Sequence, residues 1–213
     1  MKTLKIEKIL KDVDKYYTNK ILKYGRTPKG VNWKNEEVQI VRFKQLLKVV
    51  DIKNYYILND LGCGYGSMYS YMNENNHKNF YYYGYDLSKE MVENARSLYG
   101  DFNNCEFFVI NHFAEIKNSD YTVASGIFNV KMQYKEFEWL PYILETLDEM
   151  NKKSKKGFAF NILTKYSDKE YMRDDLYYAD PSYFFDYCKR NFSRNISLLH
   201  DYELYEFTII VRK

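Results

Sequence analysis

Tyr55-Tyr-Ile-Leu-Asn-Asp-Leu-Gly-Cys-Gly-Tyr-Gly-Ser67 is the stretch that decides the fold. An apolar, β-prone start from Tyr55 to Leu58 runs to Asp60. Glycines then fall at 62, 64 and 66, and helix-compatible spacing follows from Ser67. Strand, tight turn and helix start, in that order, are how an α/β sheet opens a crevice for a nucleotide. So sharp a turn needs positive φ, and a backbone without side chains lets a ligand come close. Phe80-Tyr-Tyr-Tyr-Gly-Tyr-Asp86 predicts a second strand. It ends on a carboxylate about 20 residues past Gly66, where a ribose diol is held in such sheets.

The turn departs from the dinucleotide pattern. Its third glycine comes one residue early, at 66, and Ser67 fills the later slot. Asp60 has little use beside a pyrophosphate but suits a cation such as the ammonium of an amino acid. An adenosine joined to an amino acid through a sulfonium fits both acids, with Asp60 at the cationic end and Asp86 at the ribose.

Asp60-Leu-Gly-Cys-Gly-Tyr-Gly66 and Tyr83-Gly-Tyr-Asp-Leu-Ser-Lys-Glu-Met91 resemble motifs one and two of the class I S-adenosylmethionine-dependent methyltransferases. The resemblance runs from about residue 16 to the C-terminus. Three further segments resemble a bacterial subgroup often encoded with capsule and surface-polysaccharide genes: Tyr24-Gly-Arg-Thr-Pro-Lys-Gly-Val-Asn-Trp33, Ala124-Ser-Gly-Ile-Phe-Asn129 and Tyr177-Tyr-Ala-Asp-Pro181. Some members of that subgroup are linked to O-methylation of capsule phosphoramidate. The resemblance implies a Rossmann-like α/β fold, with a mostly parallel seven-stranded sheet, an antiparallel last strand and helices on both faces. It implies S-adenosyl-L-methionine as cofactor, S-adenosyl-L-homocysteine as product, and a small-molecule or glycan-precursor acceptor. It also implies one domain over 1–213, with helices and a lid loop at 1–50, a cofactor core at 55–163, and a substrate-side insertion, helix and hairpin at 164–213.

Bulk properties agree with one domain of 213 residues. Thirty-two Lys and Arg against 29 Asp and Glu leave a net charge of +3, so nothing marks a nucleic-acid surface. The three cysteines lack metal-ligand spacing, and their odd number argues against a disulfide framework. Cys63, in the turn, is expected to be small and apolar against the cofactor. The N-terminus is charged too early for a signal peptide, and no apolar run approaches a membrane span. A cytoplasmic protein is expected, and a homodimer is allowed.

Along the chain, residues 4–24 predict an amphipathic helix with Leu4, Ile6, Ile9, Leu10, Val13, Tyr17 and Ile21 in one stripe. Gly25–Asn35 is a loop that could form a lid over the cofactor, and Arg26 and Trp33 within it are candidates for binding the acceptor. A helix follows over 36–50. In methyltransferases of the resembled type, a basic residue ahead of the first strand holds the methionine carboxylate, which makes Arg42 a candidate. Ser88 predicts an N-cap, with Met91, Ala95 and Leu98 facing the core. Leu87 is expected to bracket the adenine.

Cys105–Ile110 predicts a strand buried on both faces, delivering Asn111, His112 and Phe113 to the adenine. A fourth strand, 120–125, ends on Ser125, and Phe128 and Asn129 follow where a transferable methyl would point. This segment lacks the Asn-Pro-Pro-Tyr of amino-group methylators. Residues 139–150 predict a helix with Pro141 in its first turn, then a basic loop at 152–156 and a strand at 157–163. The tyrosine-rich stretch 165–178 offers Arg173, Tyr177 and Tyr178 to a sugar or phosphate. Asp180-Pro181 starts a helix, and two strands, 195–200 and 205–212, end the sheet. His112 and His200 are the candidate bases for a hydroxyl acceptor; an anionic phosphate or phosphoramidate would instead want Arg26 and Arg173. A nucleotide-cofactor oxidoreductase and an S-adenosylmethionine-binding protein without turnover stay open.

Overall fold

Every residue of strand β1 (Tyr56–Leu61) except Ile57 is buried, as a strand with neighbours on both sides and helices on both faces requires. The computed structural model describes the backbone of residues 2–213 and side chains from Lys5 onward. Leu4, the first position of the predicted N-terminal stripe, lies outside those side chains. β1 pairs in parallel with β2 (Phe80–Asp86) on one side and β4 (Ser119–Ala124) on the other. With β3 (Cys105–Val109), β5 (Ser154–Leu163), β6 (Asn195–Leu199) and β7 (Glu206–Arg212), the order is β3-β2-β1-β4-β5-β7-β6. β7 runs antiparallel to both β5 and β6. The chain winds outward through β2 and β3, then returns to β4 beside β1. The crevice between β1 and β4 is therefore the topological switch point, where open α/β sheets bind ligands.

Strand alternation divides the core into two layers. Phe158, Phe160, Ile209 and Val211 point to one face, under α1 (Lys2–Tyr24), α5 (Glu136–Lys153) and α6 (Pro181–Asn191). Ala159 and Ile210, one residue out of phase, point to the other, under α2 (Glu36–Leu46), α3 (Ser67–Glu74) and α4 (Lys89–Tyr99). Local capping chemistry starts the helices where expected. Ser88 Oγ accepts from the Met91 N–H at 3.3 Å, and Asp180 Oδ1 from the Ser182 N–H at 2.9 Å.

Several expectations are corrected. The basic run is not a loop: Lys152 and Lys153 close α5, and Lys155 and Lys156 already lie in β5. The reversal is made in place by Ser154, whose Oγ donates to Met150 O at 2.7 Å. Helix α5 starts three residues early because Glu138 accepts the Lys135 N–H at 2.9 Å, so Pro141 lies beyond the first turn. Leu98 is exposed and Val92 takes its place in the core. β3 is not buried on both faces, since it is a sheet edge with Glu106 and Val109 exposed. Only a 3-10 turn, Phe113–Glu115, stands between β3 and β4 where a helix would cover that face.

Candidate functional site

At the C-terminal ends of β1 and β4 the turn leaves the sheet through Gly62, Gly64 and Gly66, with φ of 77°, 55° and 88°. Gly62 is required twice over: its φ is left-handed, and a Cβ there would stand 2.3 Å from Ile127 Cγ2 of the loop after β4. Above the turn lies a partly open cleft. Its floor is Asp60, the glycine turn and Cys63; Asp86, Leu87, Met91 and Phe113 form one side, and Ser125 and Ile127 the other. Helix α1 supplies Val13, Asp14 and Tyr17 as a roof, and the following loop supplies Val31 and Trp33.

Hydrogen bonding separates the residues that hold the cleft from those that face into it. Asp86 receives the Gly64 N–H on Oδ2 and the Ser88 N–H on Oδ1, both at 2.9 Å, so the turn and the start of α4 fix its plane. Each oxygen keeps a second lone pair for a ligand. Asp60 accepts the Tyr82 hydroxyl on Oδ2, while its Oδ1 is buried without a partner. The hydroxyls of Ser125 and Tyr142, which also line the cleft, are buried and unpaired as well. Gln39 of α2 is 6% exposed and lines the same cavity. Buried polar atoms of folded proteins are nearly always paired, so three orphans around one cleft mark the place of an absent partner.

The electrostatics point the same way. Burial pushes the Asp60 carboxyl up to about 7, with the Asp86 charge adding to the rise and the Tyr82 hydrogen bond opposing it. Burial raises Asp86 to about 6, against the pull of the Ser88 and Gly64 N–H groups. Asp14 is raised too, chiefly by burial. A ligand with a cationic end would relieve this strain by pairing with the ionised carboxylate. The flat walls of Leu87 and Phe113 suit an apolar ring system, and the Asp86 oxygens suit a diol. An adenosine carrying a sulfonium amino acid fits this set of donors, acceptors and walls.

The predicted cofactor residues Asp60, Gly62, Cys63, Gly64, Asp86, Leu87, Phe113 and Ser125 all line the cleft, and Gly66 turns the chain into α3. Arg42 does not join them. It is buried, its Nε and Nη2 fork is occupied by Glu206 at 2.9 and 2.6 Å, and Nη1 donates to Val38 O. Gln39, three residues earlier on the same helix, faces the cleft in its stead. Asn111 is exposed on an outer groove.

His112 caps the 3-10 turn, Nδ1 accepting from the Ala114 N–H, with Nε2 3.2 Å from Glu145; neither nitrogen faces the central cleft. His200 is exposed at the end of β6, four strands from β1, beside Tyr166. Neither candidate base lines the central cleft; His112 lines an adjoining groove that shares Asp14 and Leu87 with it.

On the acceptor side, Trp33 alone of the predicted residues lines the cleft. Phe128 is fully buried against Tyr142 and Phe160, a core residue. Asn129 accepts the Leu163 N–H at 3.1 Å and donates to Glu206. Tyr177 is buried, its N–H bonded to Asn129 O. Arg26 is held on α4 by Asn94 and Ser97, and Arg173 pairs with Asp175 while its N–H meets the Tyr178 hydroxyl. The 172–178 stretch nonetheless packs on the loop after β4, through Met132 N–H to Asp175 O and a bridge between Val130 and Leu176. Missed from the sequence were Gln39, Tyr142, Asp14, Ile127 and the cleft-facing role of Tyr17. The available signal was polar side chains on or beside the inward stripes of α1 and α5.

A family model described as a methyltransferase domain matches residues 58–157, from β1 into β5. Rv1506c of Mycobacterium tuberculosis, a protein named as a methyltransferase, is 47% identical over 167 residues, 78% of this chain and 99% of that protein. Among solved structures, magnesium protoporphyrin IX methyltransferase (ChlM) from Synechocystis PCC 6803 with bound SAH superposes with a TM-score of 0.60 at 15% identity, over 83% of each chain. A DhpI-SAH complex superposes with a TM-score of 0.64 at 11% identity, over 96% of each. Those identities speak to the fold.

Proposed function

Because the chain belongs to the class I S-adenosylmethionine-dependent methyltransferases, we propose that it methylates an oxygen of a small glycan precursor in capsule or surface-polysaccharide assembly. A sugar hydroxyl is favoured over a phosphate or phosphoramidate. The observation that supports the cofactor half of this reading is the set of unpaired buried atoms, Asp60 Oδ1, Ser125 Oγ and the Tyr142 hydroxyl, around one cleft above the glycine turn. The acceptor half rests on the resemblance of segments 24–33, 124–129 and 177–181 and on the charge of the cleft.

S-adenosylmethionine, when bound, supplies a methyl group on a cationic sulfur that is already a good leaving group. The chain's own contribution is binding and alignment, which in well-arranged cases is worth roughly 7–11 kcal/mol. Asp60 would take the ammonium, Asp86 the ribose hydroxyls, and Leu87 with Phe113 the adenine. The Gln39 amide, with Arg42 committed to Glu206, is the donor left for the carboxylate. Trp33, Ser125 and Ile127 form the wall beside the loop after β4, the side open to an acceptor.

Charge selects among acceptors. The cleft is lined by Asp14, Asp60 and Asp86, and among the described residues no Lys, Arg or His lines it. The arginines an anionic acceptor would need are held elsewhere, Arg26 on α4 and Arg173 by Asp175. A phosphate would meet like charge in the cleft, whereas a neutral hydroxyl would not. Transfer of labelled methyl from S-adenosylmethionine to neutral methyl glycosides, compared with sugar phosphates, tests this. Neutral glycosides should be used at least about tenfold better, the scale of one like-charge contact. A preference for sugar phosphates overturns the hydroxyl assignment. Tight cofactor binding with no transfer to any glycan overturns the glycan reading.

A further inference from the structure

Glu206 lies on the last strand, is 1% exposed and does not line the cleft, yet one carboxylate collects four side-chain hydrogen bonds. Arg42 gives two, at 2.9 and 2.6 Å; Asn129 gives one at 3.3 Å, and Asn161 gives the fourth. Two of these arms lead to the same tryptophan. The Arg42 guanidinium, its plane fixed by the bidentate contact, lies 3.9 Å from the centroid of the Trp33 ring. Asn161 uses its Oδ1 to accept the Gly126 N–H at 2.8 Å. Gly126 in turn lies against the indole, for a Cβ there would stand 2.2 Å from Trp33 Cη2. Both surfaces that contact the indole are thus referenced to one buried carboxylate.

We propose that Glu206 and Arg42 are positioning residues that set Trp33 as the acceptor-side wall of the cleft. The inference rests on the acceptor lying against Trp33, as proposed above. Only a bidentate, planar cation satisfies the geometry: it must fill both Glu206 oxygens and still present a flat face to the indole, which a lysine ammonium cannot do. The pair acts on acceptor use and leaves the cofactor's contacts at Asp60 and Asp86 untouched. It also ties Arg42, and through it the acceptor wall, to a residue 164 positions further along the chain than Arg42 itself.

The chain has two tryptophans, and Trp139 is fully buried, so a Trp139→Phe background leaves Trp33 as the sole reporter. In that background Arg42→Lys and Glu206→Gln should each raise acrylamide quenching of Trp33 about threefold, while S-adenosylhomocysteine affinity stays within about threefold. Arg42→Lys keeps the buried charge balanced and serves if Glu206→Gln does not fold. With a neutral methyl glycoside as acceptor, Arg42→Lys should raise KM about tenfold, and that effect should vanish when Trp33→Leu is already present. Unchanged quenching in a folded variant overturns the proposal, as does additivity with Trp33→Leu or a parallel loss of S-adenosylhomocysteine binding. If no glycoside is methylated, the glycan reading fails, and the quenching result still decides whether the pair positions the wall.

Discussion

Two regions meet at the cleft and treat their polar atoms in opposite ways. Around the glycine turn, Asp60 Oδ1, Ser125 Oγ and the Tyr142 hydroxyl are buried and unpaired. Beyond Ser125, along the loop after β4 and the stretch it packs on, polar side chains are matched inside the protein. Arg42, Asn129 and Asn161 converge on Glu206, and Arg173 is clamped to Asp175. A buried group that already has its partners is scaffold, and one that lacks them while lining the cleft is placed to meet a ligand. Asn59 Oδ1 and Asn151 Oδ1 are unpaired too but lie away from it. Residue type alone does not distinguish the two: the arginine expected to bind the ligand is scaffold, and a serine and a tyrosine are not.

The contrast can be broken from either side. On the scaffold side, Glu206→Gln should cost about 3–5 kcal/mol of folding stability, because Arg42 stays buried without its counter-charge. Urea denaturation reads this, and a loss below 1 kcal/mol would show that the network does not hold the rim. On the ligand side, Asp60→Asn should lose about 1.5–3 kcal/mol of S-adenosylmethionine affinity, the range for a hydrogen bond to a charged group, without loss of ligand-free stability. Equal losses of both would make Asp60 scaffold. Ser125→Ala sharpens the distinction further. Removing an unpaired buried hydroxyl should leave the ligand-free protein as stable or up to about 1 kcal/mol more stable, while weakening cofactor binding. Arg26→Ala, whose guanidinium lies on the exposed face of α4, should change stability and cofactor affinity by no more than about 0.5 kcal/mol.

What could be read in the chain follows from the range of the physics involved. The glycine turn, the Asp86 strand end and the Ser88 and Asp180 caps are short-range chemistry, and each stands where it was expected. The mostly parallel seven-stranded sheet and its antiparallel last strand came with the resemblance that those motifs carry. The misplacements are long-range. Arg42 is buried because its partner lies on the last strand, and His112 is turned outward by Glu145, 33 residues away. Phe128 and Asn129 sit in the expected loop, but that loop is pinned by Leu163 and Tyr177, so their side chains face the core. Tyr142 and Gln39 were missed because each sits on a helix whose pattern reads as packing. Only the cleft above them distinguishes a polar group aimed inward from one aimed at solvent.

The central claim is that Asp60 stands uncompensated in the ligand-free protein and is compensated by a cationic cofactor. Its carboxyl rises from 3.8 to about 7 on folding. The folded chain therefore holds a proton that the unfolded chain has released, and ligand-free stability falls as pH rises between those values. Binding of the sulfonium amino acid requires the ionised form, so affinity should tighten as pH rises through that upper value. Calorimetric titration with S-adenosylmethionine at pH 6.5, in buffers of differing ionisation enthalpy, measures the protons released. The wild-type protein should release a proton fraction that Asp60→Asn does not. Equal release from both, with equal affinity, would contradict the account.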